Sequence, residues 1–203
     1  MQKDINWSLN LLVWSIQLIR QNYVGSILEY KHLGKSGLKV SPLCLGTMLF
    51  GRETPSQESQ LIIESARNSG INFIDTADAY VGGDSERLVG RCIKTSRDHW
   101  VLATKLANKM GQGPNKGGLS RKWVMQACEE SLRRLRTDYI DIYYLHKEDH
   151  ATPLRETIMA IGDLIKDGKI RYFGVSNYRS WRVAEICNCL LYTSDAADDE
   201  TSV

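Results

Sequence analysis

The 203-residue chain has no apolar run approaching the 18 or so residues needed to cross a bilayer. Its longest candidate, residues 9–19, is broken by Asn10, Ser15 and Gln17. Lys3 is offset by Asp4 and no small-x-small cleavage site follows, so this stretch is not read as a secretory leader. Charge of one sign is also missing: 26 Lys and Arg stand against 24 Asp and Glu, for a net charge of +2. No basic stripe stands out, which argues against nucleic-acid binding. The five cysteines (Cys44, Cys92, Cys128, Cys187 and Cys189) form no zinc-type spacing and are odd in number. They read as reduced, mostly buried thiols of a cytoplasmic protein. Phosphate loops are lacking as well. Gly34-Lys35-Ser36 resembles the end of a Walker A loop, but Glu29 stands where its first glycine belongs. The glycines at 111, 113 and 117 are one residue too widely spaced for G-x-G-x-x-G, and they follow the third strand rather than the first.

What remains is ordinary globular sequence, 42% apolar and 25% charged, which excludes wholesale disorder and a fibrous fold. The two ends differ from the middle. Residues 1–28 and the polar, acidic stretch 191–203 are read as extensions, leaving residues 29–190 to carry the fold. Within that segment, short apolar or β-branched runs recur at 42–45, 72–75, 100–104, 139–145 and 172–175. Their spacing of roughly 30 to 40 residues is that of a βα unit. Helical patterns fill the intervals. Thr54-Pro55-Ser56-Gln57 reads as a capping box, with Leu61, Ile62, Ser65 and Ala66 on one face and Gly70 as a left-handed stop. Val124, Cys128, Leu132 and Leu135 form a second stripe. Thr152-Pro153 opens a third helix, with Leu154, Ile158, Ile161 and Ile165 buried and Gly168 as its stop.

Strands alternating with helices imply a parallel sheet, either doubly wound or closed as a (β/α)8 TIM-type barrel. Without a phosphate loop, the barrel is the better reading, and barrels carry their chemistry at the C-terminal ends of the strands. There the sequence places Gly46-Thr47, Asp75 with Tyr80 five residues on, Lys105, His146, and Ser176-Asn177. Each alone has a bland reading, as a helix cap, a loop aromatic or a surface charge. Their recurrence after every strand argues for a site. A phenol ordinarily titrates near pH ~10 and is a poor acid at neutral pH unless a cation stabilises its anion. A lysine held by a carboxylate does this, and a histidine can donate a hydrogen bond to a carbonyl oxygen. Such a set protonates an oxygen while a hydride reaches the carbon, which is carbonyl reduction or its reverse.

These residues resemble the aldo-keto reductases. Residues 30–48 (YKHLGKSGLKVSPLCLGTM) are similar to the family's N-terminal β-hairpin and first strand. Residues 70–90 (GINFIDTADAYVGGDSERLVG) resemble its signature, and 131–146 (SLRRLRTDYIDIYYLH) and 168–177 (GKIRYFGVSN) resemble later blocks. The resemblance implies a barrel that binds NADPH in an extended pose and reduces small carbonyl substrates. It makes Tyr80 the general acid, Lys105 the cation that stabilises its anion, Asp75 the partner of Lys105, and His146 the residue orienting the carbonyl. It places Gly46, Thr47 and Asp75 beside the cofactor, and Ser176 and Asn177 on the nicotinamide carboxamide.

The match covers about five of the eight βα units, preceded by the hairpin. The sequence is therefore read as an incomplete barrel, a fragment expected to aggregate or dimerise rather than turn over. Leu28 is read as the natural start, and residues 191–203 as foreign sequence. The segment that grips the adenosine 2′-phosphate falls in the missing part, so NADPH rests on family habit and NADH stays open. Two other functions compete: a cofactor-sensing regulatory subunit of the same fold, and a metal-dependent hydrolase barrel. The second is disfavoured because only His146, of four histidines, falls at a strand end.

Overall fold

The computed structural model describes residues 28–199, with side chains as far as residue 190. The readings made for residues 1–27 and 200–203 lie outside the described residues. An antiparallel hairpin, β1 (Lys31–His32) and β2 (Lys39–Val40), comes first. Five parallel strands follow: β3 (Cys44–Gly46), β4 (Phe73–Asp75), β5 (Val101–Leu106), β6 (Ile140–Leu145) and β7 (Ile170–Val175). From β4 on, each pairs with the one before it, in the order β3-β4-β5-β6-β7. A doubly wound sheet would reverse its order at a switch point; a sheet that grows in one direction is the barrel arrangement. Helices α1 (Ser56–Asn68), α2 (Asp84–Ile93), α3 (Arg121–Leu135), α4 (Leu154–Lys166) and α5 (Ser180–Asp199) alternate with the strands. Among the described residues, no helix is long and apolar enough to cross a membrane.

The period of two along a strand sorts side chains between the two faces of the sheet. Ile74, Leu102, Leu106, Tyr143 and Leu145 join the large core shared with the helices. Val101, Ala103 and Ile142 face the other way, where Val40, Leu33 and Leu38 of the hairpin pack on them. That alternation carries Asp75 and Lys105 to the second face, two residues beyond Phe73 and Ala103.

The helix ends explain how each strand is re-entered. After α1, Gly70 adopts φ +83°, with Gly70 N–H donating to Arg67 O and Ile71 N–H to Ala66 O. After α4, Gly168 adopts φ +71°, with the same two bonds to Ile165 O and Leu164 O. Both are Schellman closures, which need a residue that tolerates the left-handed region. The stripe of Val124, Cys128, Leu132 and Leu135 on α3 is buried as expected.

Several local expectations need correction. No side chain caps α1: Pro55 itself is the capping residue, and Ser59 Oγ instead donates to the Thr54 and Pro55 carbonyls. The buried face of α1 is then Ser59, Ile63 and Ala66, and Leu61 is 57% exposed. On α4, Leu164 takes the buried place assigned to Ile165, which is exposed. The thiols are free but not mostly buried. Only Cys128 is buried, within the large core, and Cys92 packs partly against it. Residues 191–199, which show no apolar period, continue the backbone of α5.

Helices α2 and α3 touch at Gly90. A Cβ added there would stand 2.3 Å from the Leu135 carbonyl oxygen and 2.6 Å from its Cα. Backbone cannot yield as a flexible side chain can. Gly90→Ala is therefore expected to cost roughly 3 kcal/mol of unfolding free energy, read by urea denaturation. An unchanged midpoint would show that the two helices can separate freely.

Candidate active site

Asp75 ends β4, in register with Gly46 of β3 and Ala103 of β5. Beyond it the ladder continues by single bonds, Thr76 N–H to Ala103 O and Asp78 N–H to Lys105 O. The chain then enters a tight turn, Tyr80–Gly83, in which Val81, Gly82 and Gly83 all have positive φ (50°, 62° and 95°). Glycine takes this geometry readily, but a β-branched residue does so under strain. Val81 thus bears a local cost directly beside Tyr80.

Lys105 comes from β5 and is 7% exposed. Its Nζ donates to Asp75 Oδ2 at 2.5 Å, Thr76 O at 2.8 Å and the Tyr80 hydroxyl oxygen at 3.0 Å. An ammonium has three hydrogens and no lone pair. All three are spent, and the phenol oxygen receives one of them, so its own proton is directed elsewhere. The nitrogen also lies 4.7 Å from the Tyr80 ring centroid. Burial raises the Asp75 carboxyl above its ordinary range, with Lys105 opposing.

His146 follows β6 and is held by its backbone: its N–H donates to Leu106 O, and its carbonyl accepts Asn177 Nδ2 at 2.8 Å. The ring stands edge-on to Tyr80, with centroids 5.7 Å apart. Burial lowers its pKa, and the charges of Lys105 and Lys147 lower it further. The imidazole is therefore disposed to stay neutral. Its Nδ1 lies 3.1 Å from Asn108 Nδ2.

The four catalytic candidates, Asp75, Tyr80, Lys105 and His146, thus surround one point at the strand ends. Gly46 lies alongside, with open space where a Cβ would stand. Ser176 and Asn177 follow β7; Asn177 Nδ2 also donates to Ser176 Oγ at 3.1 Å. Thr47 differs from expectation. It is fully buried, and its hydroxyl bonds to Asp75 O and lies 2.9 Å from Ser85 Oγ, which in turn contacts Thr76 Oγ1. That hydroxyl braces the floor of the site instead of facing its opening.

Two participants escaped the sequence reading, the Thr76 carbonyl and Asn108, as did the buried Asp78, whose backbone N–H donates to Lys105 O. Asn108 had a readable signal, as a polar residue two positions past the end of β5. Asp78 had none. It is fully buried, no side chain hydrogen-bonds its carboxyl, and burial with the nearby Glu86 pushes its pKa up to about 8, against Arg134 and the Ala79 backbone. Glu86 is buried too, but Arg134 Nε at 2.5 Å and Thr104 Oγ1 at 2.6 Å satisfy it. A cleft of about 750 Å³ flanks the site between the loops after β5 and β6, with Lys109, Lys116, Lys147 and His150 on its walls.

The profile of the Aldo/keto reductase family matches residues 42–197. A probable voltage-gated potassium channel subunit beta from Arabidopsis thaliana is 38% identical over 162 residues, covering 78% of this chain and 49% of that protein. Norsolorinic acid reductase from Aspergillus flavus is 39% identical over 170 residues, covering 75% of this chain and 43% of that protein. Among solved structures, aldo-keto reductase AKR11C1 from Bacillus halodurans, in its holo form, superposes with a TM-score of 0.72 at 38% identity. That match covers 78% of this chain and 53% of the other. The chain spans about half the length of these relatives.

Proposed function

Since the chain belongs to the aldo/keto reductase family, we propose that its strand-end cluster reduces small aldehydes or ketones to alcohols with NADPH, as part of a cytoplasmic protein. The observation that carries this reading is the Lys105 ammonium shared among Asp75, Thr76 O and the Tyr80 hydroxyl. When bound, the nicotinamide supplies a hydride to the carbonyl carbon. The chain's own residues do the rest. Tyr80, its oxygen already accepting from Lys105, donates its proton to the carbonyl oxygen. The adjacent ammonium stabilises the phenolate left behind, and Asp75 keeps that ammonium in place. His146 donates a hydrogen bond to the same oxygen and so orients the carbonyl.

The residues present fit such a cofactor. Gly46 leaves room for close approach at the strand end. Ser176 retains a hydroxyl proton and Asn177 a carbonyl oxygen without partners among the described residues. A donor beside an acceptor matches a carboxamide, which presents one of each.

The test is consumption of reduced nicotinamide by the full-length protein containing this chain, with aromatic aldehydes and with NADPH and NADH compared. Turnover favouring NADPH is expected, with Lys105→Met lowering kcat by about 100-fold or more. Equal rates in the two proteins would end the reading. The similarity to a potassium channel subunit beta favours a second reading, a cofactor-sensing regulatory subunit. Tight NADPH binding, negligible turnover and association with a channel's cytoplasmic domain would select it.

The 203 residues on their own are proposed to be inactive. They span about half of each relative, and the outer edges of β3 and β7 have no partner strand among the described residues. Open edges associate. Sedimentation of the 203-residue polypeptide should show aggregates or dimers, whereas a monomer turning over at the full-length rate would contradict this.

A further inference from the structure

Within the reading of His146 as a carbonyl hydrogen-bond donor, we infer that Asn108 is a positioning residue that fixes the tautomer of His146, holding the ring hydrogen on Nε2. The inference begins with a donor–acceptor count. An amide nitrogen carries hydrogens and offers no lone pair. Asn108 Nδ2 lies 3.1 Å from His146 Nδ1, and with the amide nitrogen as donor, Nδ1 presents its lone pair. In a neutral imidazole the single hydrogen then belongs to Nε2. Among the described residues, this contact with Asn108 is the hydrogen bond that reaches the ring.

The electrostatics agree. The charged and titratable groups facing the ring are Lys105 of β5, Lys147 beside it in the chain, and Tyr80 edge-on across the site. Two are cations, and no carboxylate bonds to the ring to favour an imidazolium. A histidine meant to shuttle protons commonly leans on a carboxylate or a backbone carbonyl through Nδ1–H. Here a neutral amide does the opposite and makes the ring a fixed donor.

The backbone delivering Asn108 is constrained to do so. Ala107 is buried and adopts φ +126°, a region that residues with a Cβ rarely occupy. Its carbonyl accepts Gly118 N–H at 2.9 Å. At Gly117 a Cβ would stand 2.9 Å from Lys109 Cα and 3.3 Å from Asn108 O, so the returning loop seats directly against this segment. The strain therefore lies immediately before the residue that aims at His146.

The test is nuclear magnetic resonance of the ring nitrogens in full-length protein carrying 15N-histidine, with His146→Gln to assign the signals. The native protein should show hydrogen on Nε2 and a lone pair on Nδ1. In Asn108→Leu, which preserves size, the ring should become a mixture of tautomers. In Asn108→Asp, Nδ1 should gain a hydrogen and the ring should titrate at higher pH. Aldehyde reduction by that variant should then acquire a new limb, falling as pH rises through the His146 titration, because the neutral ring now offers Nε2 as a lone pair. Hydrogen on Nδ1 in the native protein, or an unaltered tautomer in Asn108→Leu, would overturn the assignment. If the tautomer shifts as described but Asn108→Asp shows no new limb, Asn108 keeps its role and the reading of His146 as carbonyl donor fails instead.

Discussion

Tyr80→Phe should reduce kcat for carbonyl reduction by about 100-fold to 10,000-fold, the range general acid catalysis supplies, with cofactor affinity nearly unchanged. The substitution removes one oxygen and leaves the ring, so the edge-on contact with His146 at 5.7 Å persists. What disappears is the group that accepts from Lys105 at 3.0 Å and owns the transferable proton. Lys105 keeps two acceptors, Asp75 Oδ2 and Thr76 O, so the cluster should hold its shape. Retained NADPH binding by fluorescence titration, together with lost turnover in steady-state kinetics, is the expected pair of results. Full activity in this variant would remove Tyr80 from the chemistry and leave the proposed mechanism without a proton source.

The second large effect concerns stability. Asp78 is expected to make the folded state lose stability as pH rises from about 4 to about 8. Its carboxyl is fully buried without a side-chain hydrogen-bond partner, and its pKa is pushed up to about 8. In the unfolded chain the same group releases its proton near pH ~4. Between those limits the folded state holds a proton that the unfolded state has given up, so unfolding free energy falls by at most ~1.4 kcal/mol per pH unit. Stability from this group is thus full below pH ~4 and lost on approaching the folded value. Asp78→Asn cannot ionise. It should match the native protein near pH 4 and exceed it by several kcal/mol, on the order of 5, at pH 8. Urea melts at both pH values measure this, and parallel native and variant curves across the range would contradict it.

The architecture was legible because its signals are periodic. Apolar runs at regular intervals marked the strands, alternation set which residues face the site, and Gly70 and Gly168 announced two helix ends that the structure closes in the same way. Strand-end residues from different parts of the chain came together because parallel strands all end on one side. What was not legible depended on orientation and close packing. Thr47 sits at the expected strand end, yet its hydroxyl turns beneath the floor to Asp75 O and Ser85. Nothing in the residue type distinguishes those two directions. Asp78 reads as one polar residue among several in a signature stretch, and only packing reveals that its carboxyl is walled in. The register of α1 shifted because proline at position 55 serves as the cap itself, leaving Leu61 outward and Ser59 inward.

The neighbour-to-neighbour strand order bears on how the molecule is made. Asp75, Tyr80, Lys105 and His146 all lie within β4 through the residue after β6, and each of these strands pairs with the one synthesised just before it. Contacts that are near in sequence close early, and growing chains fold from the N-terminus at the pace of translation. These four side chains can therefore assemble on the ribosome as soon as β6 and His146 have emerged from the exit tunnel, before β7 is available to lie beside them.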